Sequence, residues 1–422
     1  MTRIDITSLT RNRQAGGATV VVTLILFGIM TLIAAFANRN HVFEQRASAN
    51  QYRSTKAFEA AEAGLEWAIA MLNNPRPLND ACEEGSGAAA SFRERHLTTD
   101  IRSRLLTPIA ASESGHASSL RAACVKQGDG WTCACPAGTS ASLSAAGSDD
   151  RPAFVVEFKP EAQPGAIRIV ATGCTSLAGE CAPDSGKADA TAHVQMTLGS
   201  LPALRTLPLA PLTAKDTVNA GTAALGLHNA DASAGGITVH AGRSVLATNA
   251  RWTTAPGAAT DSAIVENDAA LNAQPADRFF ASFFGLGKTL WKQQPGVKPL
   301  RCGTDCTDAL TAAIRAGHRM IWIDGDIDLA GTVSIGTRER PVAIVATGAA
   351  RLAVPVQVHG VVYAASLSWR GAGGGLLRGA AISESTFDAD SAADLVYDPT
   401  LLNTLASSAG SFARLPGSWK DF

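Results

Sequence analysis

The chain opens with a polar segment that is followed by an uninterrupted apolar run. Residues 18–37 (ATVVVTLILFGIMTLIAAFA) contain no charged side chain. At a rise of 1.5 Å per residue, a helix of this length spans about 30 Å, the thickness of the hydrocarbon layer of a bilayer. The pattern therefore predicts one transmembrane helix, whose apolar positions include Ala18, Val20, Leu24, Leu26, Ile29, Leu32 and Ala37.

The helical pattern continues beyond the apolar run. Residues 39–73 contain no proline, and their only glycine is Gly64. Apolar residues recur at spacings of three and four and form one stripe, made of Phe58, Ala61, Leu65, Ala68 and Leu72. Glutamates fall on the opposite face, and Pro75 ends the pattern. We expect one helix over 18–75, with the stripe packed in the core of a domain.

The rest of the chain has the pattern of short strands. Residues 154–158, 166–171 and 192–198 are β-branched or alternate with period two, and prolines at 202, 208 and 211 indicate a domain boundary. Beyond it, 279–291 and 308–316 look helical, whereas 320–323, 342–346, 356–365 and 376–382 look like strands separated by glycine turns. The fold class expected is α+β, with a β-rich C-terminal domain that forms a short β-solenoid or, alternatively, a β-sandwich.

Composition and charge narrow the function classes. The 36 Lys+Arg balance 37 Asp+Glu, for a net charge of −1, which argues against nucleic acid as a partner. Apolar residues make up 46% of the chain and charged residues 17%, a composition that excludes wholesale disorder.

The cysteines indicate an oxidising compartment. The chain has eight, all after residue 80: Cys82, Cys124, Cys133, Cys135, Cys174, Cys181, Cys302 and Cys306. Cys174 with Cys181, and Cys302 with Cys306, would close short loops, which leaves three connectivities open for the other four. Zinc binding is the competing interpretation, but the spacings match zinc sites poorly and no histidine lies close by.

Arginines before the apolar run predict the orientation of the transmembrane helix. Arg3, Arg11 and Arg13 precede it against a single Asp5, so we expect a cytoplasmic N-terminus and a periplasmic bulk. A cleaved secretory signal peptide is the alternative. The run is longer than a usual signal-peptide core and no small-x-small site follows it, so a retained single-pass inner-membrane anchor is favoured.

These residues resemble a known family. Arg13-Gln14-Ala15-Gly16-Gly17 before the apolar run resembles a class III signal, which a prepilin peptidase cuts after a glycine. The segment 57–65 (AFEAAEAGL) is similar to the first helix of PilX-type minor pilins of type IV pili. The closing 415–422 (LPGSWKDF), with Tyr397-Asp398-Pro399 upstream, resembles the tail of long PilX-like proteins.

The resemblance implies a domain plan and a set of partners. It divides the chain into a leader (1–17), a pilin-like helix (18–75), a pilin-like headpiece with disulfide loops (76–200) and a β-rich C-terminal domain (201–422). Processing would fall between Gly17 and Ala18, with Gly16 as the alternative. The implied partners are other minor and major pilins, the prepilin peptidase, the inner membrane and a tip adhesin, and the implied destination is the pilus at the cell surface.

One residue departs from the family pattern. Most pilins carry glutamate at the fifth mature position, where it neutralises the α-amino group of a neighbouring subunit. That position is Val22 here, or Val21 after cleavage at Gly16, and the first glutamate of the chain is Glu44. K-type pseudopilins of type II secretion also lack this glutamate and are placed at the filament tip. The resemblance therefore implies a role at the tip or in the initiation of assembly.

The sequence contains no motif that indicates a catalytic residue, a metal site or a cofactor site. Residues 285–289 (GLGKT) end like a phosphate-binding loop, but Ser282 occupies the position of the first glycine. Asp324, Asp326 and Asp328 resemble the start of a calcium loop, yet Leu329 replaces its glycine. A strand with Ile323, Ile327 and Leu329 inward is the simpler interpretation, and Asp388, Asp390 and Asp394 form a second weak cluster. We expect a structural protein rather than an enzyme; a tip-displayed adhesin and an anchored polysaccharide-active enzyme are the alternatives.

Overall fold

The computed structural model describes residues 17–85, 90–111, 119–139, 151–175, 181, 190–303 and 305–421. The chain divides into two compact units, Met1–Lys56 and Ala57–Phe422. The described part of the first unit is helical and belongs to α1 (Gly17–Asn73), which ends inside the second unit.

Helix α1 has two different surroundings along its length. The described side chains of residues 17–55 are exposed. From Ala57 onwards the helix packs against the second unit, where Ala61, Leu65, Ala68 and Leu72 of the stripe are buried and Phe58 is half-buried. The helix ends at Asn73, before Pro75, because proline removes a backbone donor and clashes with the preceding turn. The predicted long helix with a buried second half is confirmed.

A short helix and seven strands follow α1. They are α2 (Phe92–His96), β1 (Leu97–Thr99), β2 (Leu106–Pro108), β3 (Ala122–Gln127), β4 (Gly130–Ala134), β5 (Ala153–Pro160), β6 (Ala166–Cys174) and β7 (Thr191–Pro202). Strands β1 and β2 form an antiparallel pair of their own. The other five pair antiparallel, and alternate residues of β7 (Val194, Met196 and Leu198) join the core beneath α1.

The next part of the chain contains most of the strands. Its elements are β8 (Leu212–Ala214), β9 (Val218–Gly221), β10 (Gly226–His228), β11 (Val239–Ala241), β12 (Val245–Ala247), β13 (Arg251–Thr253), β14 (Ile264–Val265), α3 (Ala269–Asn272), α4 (Ala276–Phe284), α5 (Lys288–Lys292), β15 (Val297–Leu300), α6 (Thr307–Arg315), β16 (Met320–Ile323), β17 (Ile327–Leu329), β18 (Ser334–Ile335), β19 (Val342–Ala346), β20 (Ala349–Ala353), β21 (Gln357–Ala364), β22 (Ser366–Arg370), β23 (Leu376–Ser383), β24 (Phe387–Ala389), β25 (Asp394–Val396) and α7 (Pro399–Ser408).

These strands form two sheets in which the described pairs are parallel. The orders are β13-β10-β25-β23-β21-β19-β16-β15, with β8, β11, β14 and β18 beside this path, and β12-β9-β24-β22-β20-β17. Between two neighbouring parallel strands the chain must return to the same end of the sheet. The β-sandwich alternative would instead connect its strands by antiparallel hairpins. The β-rich α+β architecture is confirmed, and the solenoid assignment stays a prediction.

The order of strands in space is not their order in the chain. Strands β8, β9 and β10 pair with β23, β24 and β25, so the first strands of this part lie beside the last ones. Within the paired strands β21 and β23, Gly360 and Gly379 are in register at φ +152° and +132°. A Cβ on Gly379 would lie 2.0 Å from the carbonyl oxygen of Gly360, so only glycine fits at this position.

The last residues return to the first sheet. Strands β26 (Gly410–Arg414) and β27 (Lys420–Asp421) pair antiparallel with β7, and the sheet order is β26-β7-β6-β5-β3-β4. Gly410 lies opposite Pro202, so residues 203–409 leave and rejoin this sheet at neighbouring positions. We call 57–202 together with 410–421 the headpiece, and 203–409 the inserted region. The sequence assigned the tail to the C-terminal domain, whereas the tail hydrogen-bonds the exposed edge of the twelve-residue β7.

Candidate assembly surface

The exposed part of α1 is the most unusual surface of the molecule. Its large apolar side chains from Val20 to Phe36 are half to two-thirds exposed, including Leu24 at 65%, Phe27 at 67% and Met30 at 66%. The helix is long and apolar enough to cross a membrane, by length and composition, with a mean hydropathy of 2.7 over an 18-residue window. A continuous apolar surface of this kind is unfavourable in water. We therefore expect this part of the helix to contact lipid or other apolar helices.

The predicted processing residues lie at the beginning of this helix. Gly17 is its first residue and Ala18 its second, whereas Gly16 lies outside the described residues. Val22, the fifth residue after the predicted cleavage at Gly17, is 54% exposed. The helix therefore offers no carboxylate to a neighbour between Gly17 and Phe43.

Two glycines allow the second half of α1 to approach the sheet closely. Gly173 of β6 faces the helix backbone, and a Cβ there would lie 2.1 Å from the carbonyl oxygen of Ala57 and 2.3 Å from the amide nitrogen of Ala61. Gly64 of the helix faces the Phe154 ring, where a Cβ would lie 2.8 Å from Cδ2. The single glycine of the helical pattern thus makes room for an aromatic side chain.

The tail residues also contact α1. Asn73 donates a hydrogen bond from Nδ2 to the carbonyl oxygen of Phe412 (3.1 Å) and accepts one from the Phe412 amide at Oδ1 (2.8 Å). Arg414 forms an ion pair with Glu66, and the Trp419 ring lies edge-on to Phe58 with centroids 6.5 Å apart. Sequence reasoning missed these contacts, because nothing in the pattern at Asn73 or Phe412 indicates a partner over three hundred residues away.

All eight cysteines are paired. The disulfides are Cys82–Cys135, Cys124–Cys133, Cys174–Cys181 and Cys302–Cys306. The pairing includes the two short loops expected from spacing and selects one of the three connectivities left open. Cys124 and Cys133 lie directly opposite each other on β3 and β4, which places their Cα atoms 4.0 Å apart.

The acidic residues considered for calcium are engaged in other contacts. Asp324 pairs with Lys292, while Asp326 and Asp328 both pair with Arg351 of β20. Ile323, Ile327 and Leu329 are buried as expected, but they do not share one strand: Ile323 ends β16 in one parallel sheet, whereas Ile327 and Leu329 lie on β17 in the other. Within the described ranges, no three His, Cys, Asp or Glu side chains are arranged to hold a metal ion.

The second acidic cluster is also divided among separate partners. Asp388 accepts a hydrogen bond from Asn219, and Asp390 pairs with Arg370. Asp394 lies 3.0 Å from Nε2 of His228 and also pairs with Arg251. These contacts join neighbouring strands, as cross-strand polar pairs commonly do.

The glycine-rich segment 285–289 is a link between two helices. Gly285 ends α4 in a left-handed conformation, Gly287 precedes α5, and Lys288 forms an ion pair with Glu384. Glu384 in turn accepts a hydrogen bond from Tyr363. The lysine therefore attaches the helices α4 and α5 to the parallel sheet.

A buried histidine in α2 gives the headpiece a predictable pH response. His96 is 1% exposed, stacks on Phe92, and its Nδ1 donates to the Phe92 carbonyl oxygen (3.1 Å). Its Nε2 is sealed from solvent without a partner among the described residues. Burial, assisted by the nearby Arg95, lowers the pKa of His96 to about 4, so the folded protein holds this ring neutral while the unfolded chain protonates it near pH 6.5.

We expect the free energy of unfolding to fall as the pH is lowered from about 7 to 4, because the unfolded state binds a proton that the folded state does not. The loss from His96 should be on the order of 3 kcal/mol. Urea titrations of the full-length protein in detergent at pH 7 and 4 would measure it. His96→Leu should reduce the dependence and leave the part due to His318, whose pKa burial also lowers to about 4. The exposed His41→Gln is the control, and an unchanged pH dependence in His96→Leu would contradict the prediction.

The second unit thus combines a disulfide-bonded antiparallel sheet with the last part of a helix whose earlier residues are apolar and exposed. Residues 15–66 match the PilX N-terminal family, which confirms the resemblance seen in the sequence for that segment. No curated protein is significantly similar to this chain in sequence. Among solved structures, the competence-associated pilin ComZ from Thermus thermophilus aligns at 10% identity over 88% of this chain and 98% of its own, with a TM-score of 0.20, which does not establish a common fold.

Proposed function

We propose that this chain is a minor-pilin-like structural protein of a type IV pilus, acting in the initiation of assembly or at the tip. The observation that carries the proposal is the PilX N-terminal match over 15–66, together with a helix whose apolar side chains are exposed from its first turns. Such a helix is stable in a bilayer and, after extraction, among the helices of other pilins. Its partners would be other minor and major pilins.

The valine at position 22 supports a location at the tip of the filament rather than in its shaft. A carboxylate within lipid is stable only when it is paired, so a shaft subunit gains an ion pair with its neighbour from a glutamate at this position. Valine forms no such pair. A subunit that begins the filament and has no chain above it loses nothing by this substitution.

The direction of insertion rests on the family resemblance more than on charge. Arginines precede the apolar run, but Arg39, Arg46 and Arg53 follow it on the exposed helix. We propose a cytoplasmic N-terminus, cleavage by the prepilin peptidase after Gly17, and a periplasmic second unit. The four disulfides support an oxidising compartment for that unit.

Mass spectrometry of the mature N-terminus tests the proposal. We expect the protein isolated from cells with the prepilin peptidase to begin at Ala18, and Gly17→Val to abolish cleavage and incorporation into pili, because a branched side chain replaces the glycine at the cut. Gly16→Val is the matched control and should still be cleaved. An intact Met1 in the wild-type protein, or a cut after residue 37, would overturn the proposal.

A second candidate function is that of a tip-displayed adhesin. The observation in its favour is that the chain enters and leaves residues 203–409 at neighbouring positions of the headpiece sheet, as expected if a large surface domain is carried by a pilin-like base. We propose that its parallel ladders are a short β-solenoid, in which successive turns of the chain stack on one another. A polysaccharide-active enzyme on this scaffold would need a cleft with two or three carboxylates, and the acidic clusters described above are divided among basic partners instead.

A further inference from the structure

A small cavity lies where the headpiece meets the inserted region. It measures about 50 Å³ and is lined by, among others, Arg93, Glu94, Arg319, Arg340, Ser408 and Gly410. We call it the arginine cavity. Since one buried water needs roughly 10–15 Å³ by this kind of measure, the cavity has room for a small ion with a water or two.

Two of the arginines have no acidic partner among the described residues, and of these Arg93 is buried and Arg319 is half-buried. Arg93 is 9% exposed, and its guanidinium donates to the carbonyl oxygens of Ser407 (3.2 Å) and Gly410 (3.5 Å) while it lies over the Phe412 ring. Arg319 donates from Nε to the Pro341 carbonyl oxygen (3.1 Å). Neither forms an ion pair with a carboxylate of the described residues.

One donor of the cavity has no acceptor. Arg319 donates from Nη1 to Ser408 Oγ (2.9 Å), but its Nη2 is sealed from solvent and has no hydrogen-bond partner among the described residues. A buried guanidinium nitrogen without an acceptor forfeits a hydrogen bond and retains a desolvated charge, both of which are unfavourable. Burial lowers the pKa of both Arg93 and Arg319 to about 10, in keeping with incomplete compensation of their charge.

The carboxylate that lines the cavity is already occupied. Glu94 accepts from Arg340 Nη2 at both oxygens (3.1 and 3.2 Å), and from the amide and hydroxyl of Ser91 (2.8 and 2.9 Å). Three arginines against one glutamate leave an excess of two positive charges around the cavity.

We propose that the arginine cavity binds a small monovalent anion of the chloride class, held by Arg319 Nη2 and the positive charge of Arg93. Its volume of about 50 Å³ accommodates such an ion with its nearest waters and is too small for a sugar. The bound anion stabilises the junction between the headpiece and the inserted region, because it offsets charge at the place where both contribute arginines.

The test compares anions at equal ionic strength. Full-length protein in detergent is melted in increasing sodium chloride or sodium bromide, with sodium gluconate making up the ionic strength, since gluconate is too large for the cavity. We expect a saturable rise in Tm of roughly 2 °C or more with chloride and bromide. Arg319→Met should abolish this rise and, in gluconate, be at least as stable as the wild-type protein, because the uncompensated charge is gone.

Arg370→Met is the matched control, since Arg370 is an arginine with a 62% exposed side chain that pairs with Asp390, and it should keep the wild-type response. If Arg319→Met does not fold, bromide-soaked crystals of the wild-type protein decide the question by an anomalous peak within hydrogen-bond distance of Arg319 Nη2. Equal melting in chloride and gluconate, a rise that survives in Arg319→Met, or no bromide peak at Arg319 would each overturn the proposal.

Discussion

Replacing Gly173 with alanine should destabilise the headpiece by about 3 kcal/mol or more, because the new methyl group has no space to occupy. It would lie 2.1 Å from the Ala57 carbonyl oxygen and 2.3 Å from the Ala61 amide nitrogen, and both are backbone atoms that no rotamer change can move. The helix would have to leave the sheet. The Phe154 ring, which packs against Gly64 and Trp67, would then lose its cover.

Urea unfolding of the full-length protein, followed by the fluorescence of Trp67 and Trp131, measures this effect, since both indoles lie within 6 Å of the Phe154 ring, centroid to centroid. Gly130→Ala on β4 is the matched control, because a Cβ there meets nothing nearer than the Gln127 carbonyl oxygen at 3.9 Å. Similar midpoints for the two variants would show that α1 does not dock on β6 as described.

Excising residues 203–409 and joining Pro202 to Gly410 through an Asn-Gly turn should leave a folded headpiece. Pro202 and Gly410 are opposite each other on β7 and β26, and a two-residue turn connects such positions in antiparallel hairpins. Three of the four disulfides lie wholly in the headpiece and should form. Arg93→Met should accompany the excision, because Ser407, one of its two acceptors, is removed.

In cells, we expect this excised protein to support normal piliation, because α1 and the headpiece sheet on which its second half packs are unchanged. We expect the cells to lose contact with surfaces, because the excision removes the domain proposed as the adhesin. Pili counted by electron microscopy and binding to surfaces measure the two effects separately, and Gly17→Val in the same strain is the control for failed assembly. Loss of pili by a variant that is correctly folded would place the assembly role in 203–409. A simple truncation at 201 would not distinguish these outcomes, since it also removes β26 and β27 from the headpiece sheet.

The parts of the fold that local patterns determine could be predicted from the sequence. The strands at 320–323 and 342–346 have the predicted bounds, because both are runs of buried apolar residues enclosed by polar turns. The stripe on α1 follows from the helical period alone. The helical segments at 279–291 and 308–316 appear as α4 with α5 and as α6, with a glycine link where the first pattern was read as continuous.

The connections between distant parts could not be predicted. Register Ile327↔Ala350 spans 23 residues and register Leu367↔Phe387 spans 20, so the ladders lack the constant period that reveals a repeat. The pairing of β8 with β23 joins residues about 170 apart, and backbone hydrogen bonds of this kind carry no side-chain signature. The arginine cavity was equally hidden, since Arg93 and Arg319 are ordinary basic residues until burial separates them from water.

The entry and exit of the inserted region at one hydrogen-bonded pair determine how a load would pass through the molecule. Tension carried along the headpiece would bypass 203–409, because the chain enters and leaves that region at one place. A pull applied to 203–409 would instead act on the Pro202–Gly410 pair and would tend to peel β26 from β7 bond by bond. The contacts of Arg93 with Ser407 and of Arg340 with Glu94 would have to break before the inserted region separates from its base.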